Sequence, residues 1–103
     1  MGINDIETEI RQATDYQRNK QLLKEQVQAD LLFSHGDGLF RASPELISFL
    51  SVWDQDELFL EDEYHNPVRC NRHNMLDQCR RHYQKILNHW HSEHEQLQKI
   101  RKI

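Results

Sequence analysis

The stretch from Arg72 to Lys102 constrains the fold more than any other part of the chain. In it Leu76, Cys79, Tyr83, Ile86, Trp90, Glu93, Leu97 and Ile100 follow one another at alternating steps of three and four. This is the repeat of a single helical face and of a coiled-coil seam. No glycine or proline interrupts residues 72–102, so the spacing predicts one continuous helix, about 45 Å long at 1.5 Å per residue. Seven of the eight seam positions are apolar or weakly so, and Glu93 stands where a polar residue sets register. A helix of this length overhangs any core that 103 residues could build. The expectation is therefore that the seam pairs with another chain, anchored by Tyr83, Ile86, Trp90 and Leu97.

The preceding residues supply the remaining elements. A long N-terminal helix is predicted over about 5–33, with Asn4 and Glu7 placed as a capping box and Glu7 and Arg11 as an i,i+4 pair. Its apolar stripe runs Ile3, Ile6, Ile10, Ala13, Tyr16, Leu23, Val27 and Leu31, interrupted by Lys20. "SHGDGLF" then reverses the chain, two glycines around Asp37 permitting positive φ. Ser43 as N-cap, Pro44 at the first helical position and Glu45 beside it open a short helix over 44–53. That helix is apolar on most sides, which predicts the most buried piece of the protein. Residues 57–70 read as a β-hairpin, with Leu58 and Leu60 on one face, "EYHNP" as the turn and Val68 opening the return strand. Asn71 is placed to cap the last helix. The fold class that follows is mainly α and a single domain over 1–103. Its two long helices form an antiparallel helical hairpin, with the short buried helix and the small β-hairpin between them.

Composition bears on how such a chain is stabilised. Only 37% of residues are apolar and 29% are charged, a thin supply of core for a domain of this size, so self-association or a larger protein partner is expected. Charge is segregated: residues 1–71 carry 6 Lys/Arg against 14 Asp/Glu, net −8, while residues 72–103 carry 7 against 3, net +4. The sharpest acidic run, "DQDELFLEDE" over 54–63, holds six acids and no base. These two parts should attract each other, within one chain or between neighbours. Cys70 and Cys79, without a secretory segment ahead of them, are expected to be free thiols in a cytoplasmic setting. No run of about 18 apolar residues exists, so no membrane association is expected.

Chemistry-bearing residues concentrate in the last helix without forming an enzyme signature. Four of the seven histidines fall in "HYQKILNHWHSEHEQLQKI". A metal site there would need ligands at i and i+3 or i+4, as in His91 with His94 or Glu95, and further ligands from another element. The CxxH pairs Cys70/His73 and Cys79/His82 cannot converge on one zinc, because His73 and His82 lie half a turn apart on a continuous helix. Arg80, Arg81, Lys85, Lys99, Arg101 and Lys102 give the same helix a basic face, the alternative reading being an accessory protein that binds nucleic acid. No glycine-rich phosphate loop or serine-triad signature is present. The reading is of a protein with neither catalytic residues nor a cofactor, working by interaction with other chains.

Two further stretches, "LFRASPELISFL" and "LEDEYHNPVRCNRHNMLDQCRRHYQKILNHW", together resemble small proteins of tailed phages, particularly marine cyanobacterial ones. In those proteins a similar acidic turn with "NPV" leads into a helix ending in Trp or Tyr. The likeness covers about residues 39–90. It implies a virion component or assembly factor with no enzymatic role, in the virion or the host cytoplasm.

Overall fold

The computed structural model describes the backbone of residues 3–101 and the side chains of residues 6–99. Its elements in chain order are helix α1 (Ile3–Asp30), strands β1 (Leu32–His35) and β2 (Gly38–Arg41), helix α2 (Pro44–Val52), strands β3 (Glu57–Glu61) and β4 (Pro67–Asn71), and helix α3 (Arg72–Arg101). The protein is thus mainly helical, with three helices and two separate two-stranded antiparallel sheets. It is elongated, 67 × 23 × 18 Å with a radius of gyration of 19.5 Å. A compact chain of this length would have a radius near 13 Å.

The helix starts follow from local chemistry. Ser43 Oγ accepts from the Leu46 backbone N–H at 3.1 Å, with Pro44 at the first helical position. Asn71 Oδ1 accepts from the Asn74 N–H at 3.1 Å, satisfying one of the orphan donors at the start of α3. α1 begins at Ile3, two residues before the predicted start. The capping side chain assigned to Asn4 lies outside the described residues.

The predicted first helix runs three residues too far. It ends at Asp30, and Leu32 to Arg41 form a hairpin in which Phe33 pairs with Phe40 and His35 with Gly38. Gly36 has φ 58° and Asp37 has no positive φ, the pattern of a two-residue hairpin turn with glycine at its first central position. A Cβ at Gly38 would stand 2.8 Å from both the Phe40 ring and Val68 Cγ2. The absence of a side chain there lets the first hairpin close onto the second. The second hairpin spans 57–71 in the register Leu58↔Cys70 and Leu60↔Val68, one residue longer than predicted.

One core runs through all the elements. Val27 of α1, Leu31 just beyond its end, Phe33 and Phe40 of the first hairpin, Leu50 of α2, Leu58, Val68 and Cys70 of the second hairpin, and Met75, Cys79 and Ile86 of α3 form a single buried cluster. α2 is not the most buried piece: only Leu50 is fully enclosed, while Val52 is 81% exposed and Phe49 and Trp53 each 40% exposed. A nine-residue helix can lay one face on α3, and its remaining apolar side chains have nothing of this chain to cover them.

Among the described residues Asp62 is the buried charged side chain. Its carboxylate accepts backbone N–H bonds from Asn66 at 2.9 Å, Tyr64 at 3.0 Å and Leu39 at 3.2 Å, while the Glu63 N–H donates to the Leu39 carbonyl at 2.7 Å. The side chain therefore closes the 62–66 turn, in which His65 takes a left-handed φ of 65°, and ties that turn to β2. The Asn66 N–H foremost, with those of Leu39 and Tyr64, holds the Asp62 carboxyl below the ordinary carboxylate range against the opposing effect of burial. A lowered folded-state value contributes stability that is present above the unfolded value, near 3.9, and is lost as pH falls through the folded one. Asp62→Asn should accordingly lower the melting temperature at neutral pH, and the gap from the unmodified chain should narrow as thermal scans move below about pH 4. A gap that is the same at every pH would contradict this role.

Candidate docking surfaces

α3 presents its seam mostly to its own chain. Cys79 and Ile86 are buried, and Leu76, Tyr83 and Trp90 are half-buried against the core cluster. Glu93 and Leu97 are also half-buried. The side chain of Ile100 lies outside the described residues. Met75, which the seam spacing omits, is fully buried and outranks its neighbour Leu76. The buried face is therefore rotated slightly at the start of the helix, where the second hairpin and α2 cover it.

Four hydrogen bonds fix the cover. The His82 Nε2–H donates to the Asp30 carbonyl at 2.6 Å, satisfying an orphan acceptor at the end of α1, and its ring packs on Phe33 at 5.6 Å. Gln78 accepts from His35 Nδ1 at 2.7 Å and donates to the Ser34 carbonyl at 2.8 Å, clamping β1. Gln98 donates to Tyr16 Oη at 3.2 Å. Asp30 thus meets residue 82 while Tyr16 meets residue 98, so the contacts run in opposite order along α1 and α3. His82, one of the histidines weighed as a metal ligand from the sequence, is in place as a structural hydrogen-bond donor, as is His35.

Beside the buried stripe an open groove of about 530 Å³ lies between the two long helices. Lys20 and Lys24 of α1 form one wall, and Leu87, Trp90, His91 and His94 of α3 form the other. Lys20, which interrupts the apolar stripe of α1 in the sequence, turns out to line this groove. Leu87 and Trp90 supply its apolar floor.

The cations assigned to a nucleic-acid face are dispersed. At roughly 100° per residue Arg81, Lys85 and Lys99 fall on the side of α3 opposite Cys79, exposed to solvent, while Arg80 is exposed at the flank. Arg81 is paired with Asp77 at 3.2 Å. The side chain of Arg101 and all of Lys102 lie outside the described residues. His91 pairs with Glu95 on the same helix at 3.5 Å, and His94 accepts from Gln98 at 3.2 Å. Among the described residues no group of three His, Cys, Asp or Glu side chains is arranged to hold a metal ion. Cys70 and Cys79 are free and buried, and burial pushes both thiols up.

Apolar side chains are also exposed on α1, at Ile6, Ile10 and Leu22, and two further features stand on α2 and β3. At the end of α2, which stops one residue short of the predicted 53, Phe49 and the C-cap Trp53 stack with ring centroids 5.2 Å apart, beside Val52. On the outer face of β3 Phe59 is 69% exposed, with Glu57 and Glu61 on either side of it. The sequence reading missed both. Its available signal was that a short helix apolar on all sides cannot be covered all round by so small a chain.

No model of a known protein family, no curated protein and no solved structure matches this chain. Among the described residues no helix is long and apolar enough to cross a membrane.

If the seam is filled from within, Ile86→Ala should lower the unfolding free energy by about 2–5 kcal/mol, the cost of a core truncation. Denaturant titrations should give that loss equally at low and high protein concentration. A loss that grows with concentration would instead assign Ile86 to a contact between chains.

Proposed function

We propose that this chain is a non-enzymatic assembly protein that associates with copies of itself through surfaces its own fold leaves uncovered. In this reading α1 and α3 act as one antiparallel helical hairpin, a stiff arm, and the elements between them form a head that carries the contact face. The observation that carries it is the outer face of α2, where the Phe49–Trp53 stack and Val52 stand exposed. Aromatic side chains of this kind are the usual anchors of protein interfaces, and clustered apolar exposure on a small chain marks contact sites. The elongated shape supports the same reading, since a thin core gains from burial between chains. The resemblance of residues 39–90 to small proteins of tailed phages supports a place in virion assembly.

The test is sedimentation velocity over a concentration series. The unmodified chain should associate, and Phe49→Ser with Trp53→Ser should shift it to monomer with the melting temperature kept within a few degrees, because neither ring is a core residue. A double variant that associates as tightly as the unmodified chain would contradict the reading, as would an unmodified chain that stays monomeric throughout.

A further inference from the structure

The charge segregation of the sequence is not resolved inside the folded chain. The acids of residues 54–63 find only local partners: Asp56 pairs with His73 at 3.4 Å, Glu57 with Arg69 at 3.2 Å, Glu61 with His65 at 3.2 Å, and Asp62 is used by backbone N–H groups. The first three pairs are exposed, and pairs of that kind contribute little and exchange readily. Midway along the paired long helices, Lys20 and Lys24 make no ion pair among the described residues. The acidic charge near them is Glu25, hydrogen-bonded to Gln21, and Glu95, paired with His91. An acidic surface around an exposed aromatic ring and a basic groove over an apolar floor are thus both present on one chain. Their separation keeps them from meeting within it, because Arg72 at the end of the hairpin and Trp90 in the groove are about 27 Å apart along α3.

We infer that the groove over Trp90 receives the outer face of the β3–β4 hairpin of a second copy of this chain. Phe59 stands on the Trp90 and Leu87 floor, and Glu57 and Glu61 reach Lys20 and Lys24. Alternation along a strand puts Glu57, Phe59 and Glu61 on one face, the two carboxylates about 13 Å apart with the ring between them. Lys20 and Lys24 are one helical turn apart, about 6 Å, and their flexible four-carbon stems span the difference. Such a contact joins different surfaces of the two copies. It therefore closes where two antiparallel chains make it twice or where successive copies complete a ring, and otherwise propagates.

This inference rests on the reading that the chain self-associates, and its test separates the two. Lys20→Glu with Lys24→Glu gives one variant, and Glu57→Lys with Glu61→Lys gives the other; all four positions are exposed, and melting curves check that each variant folds. In sedimentation velocity at low salt each variant alone should weaken self-association by roughly tenfold or more, since each now sets like charge against like. An equimolar mixture should restore it, because every groove then faces a hairpin of opposite sign. Phe59→Ser should weaken it without charge change, and rising salt should weaken the unmodified chain. Reversed variants that associate normally, or a mixture that fails to recover, would overturn the inference. If association is then still lost in the Phe49→Ser, Trp53→Ser variant, self-association through α2 stands without this contact.

Discussion

A helix some 45 Å long with an apolar stripe along one side has to be covered over its whole length, and the rest of this structure is arranged around that requirement. α1 covers the second half of α3, and the two β-hairpins with α2 cover the first. The division falls near His82, whose ring N–H closes the end of α1 just where the helix gives way to the first hairpin. Each element is too small to be stable by itself. A two-stranded hairpin is marginal in water, and α2 has only nine residues. What holds them is a shared buried cluster to which α3 contributes Met75, Cys79 and Ile86 and every other element contributes at least one side chain. Asp62 plays the corresponding part among polar groups, because one carboxylate serves donors from two hairpins at once.

Much of this was legible in the sequence, and the reasons are local. Ser43, Pro44 and Asn71 mark helix starts because capping chemistry acts within one turn. The second hairpin and the long last helix were legible from alternation and from the heptad steps. The first hairpin was not, although Gly36–Asp37 between two apolar pairs is a hairpin signal, because Leu31 continues the stripe of α1 and carries the helical reading past Asp30. Asp62 could not be told from its acidic neighbours, since what distinguishes it is the position of Leu39, far away in sequence. The seam residues were legible as a face, but periodicity does not say which chain covers that face. The exposed side of α2 follows from a limit of size that only the packed structure makes visible.

Covering the seam from within changes which surfaces remain for contact. Exposed apolar side chains remain at Phe49, Val52 and the C-cap Trp53 of α2, at Phe59 on β3 and at Ile6, Ile10 and Leu22 on α1, with an open groove over Trp90 between the long helices. The acidic run of residues 54–63 and the Lys20–Lys24 groove lie on different parts of the molecule, so in the proposed assembly their attraction acts between neighbouring copies. A chain that sets apolar and charged patches on opposite parts of a rod has the physical means to assemble in a defined orientation.

The central claim, that α3 is sheltered by its own chain, is tested most directly by amide hydrogen exchange along α3 over a dilution series. Amides from Cys79 to Ile86 should exchange at the rate of global unfolding and should keep that protection at the lowest concentration at which the chain can be observed. Protection there that fades on dilution, while the caps of α2 and the second hairpin stay ordered, would show that another copy covers the seam.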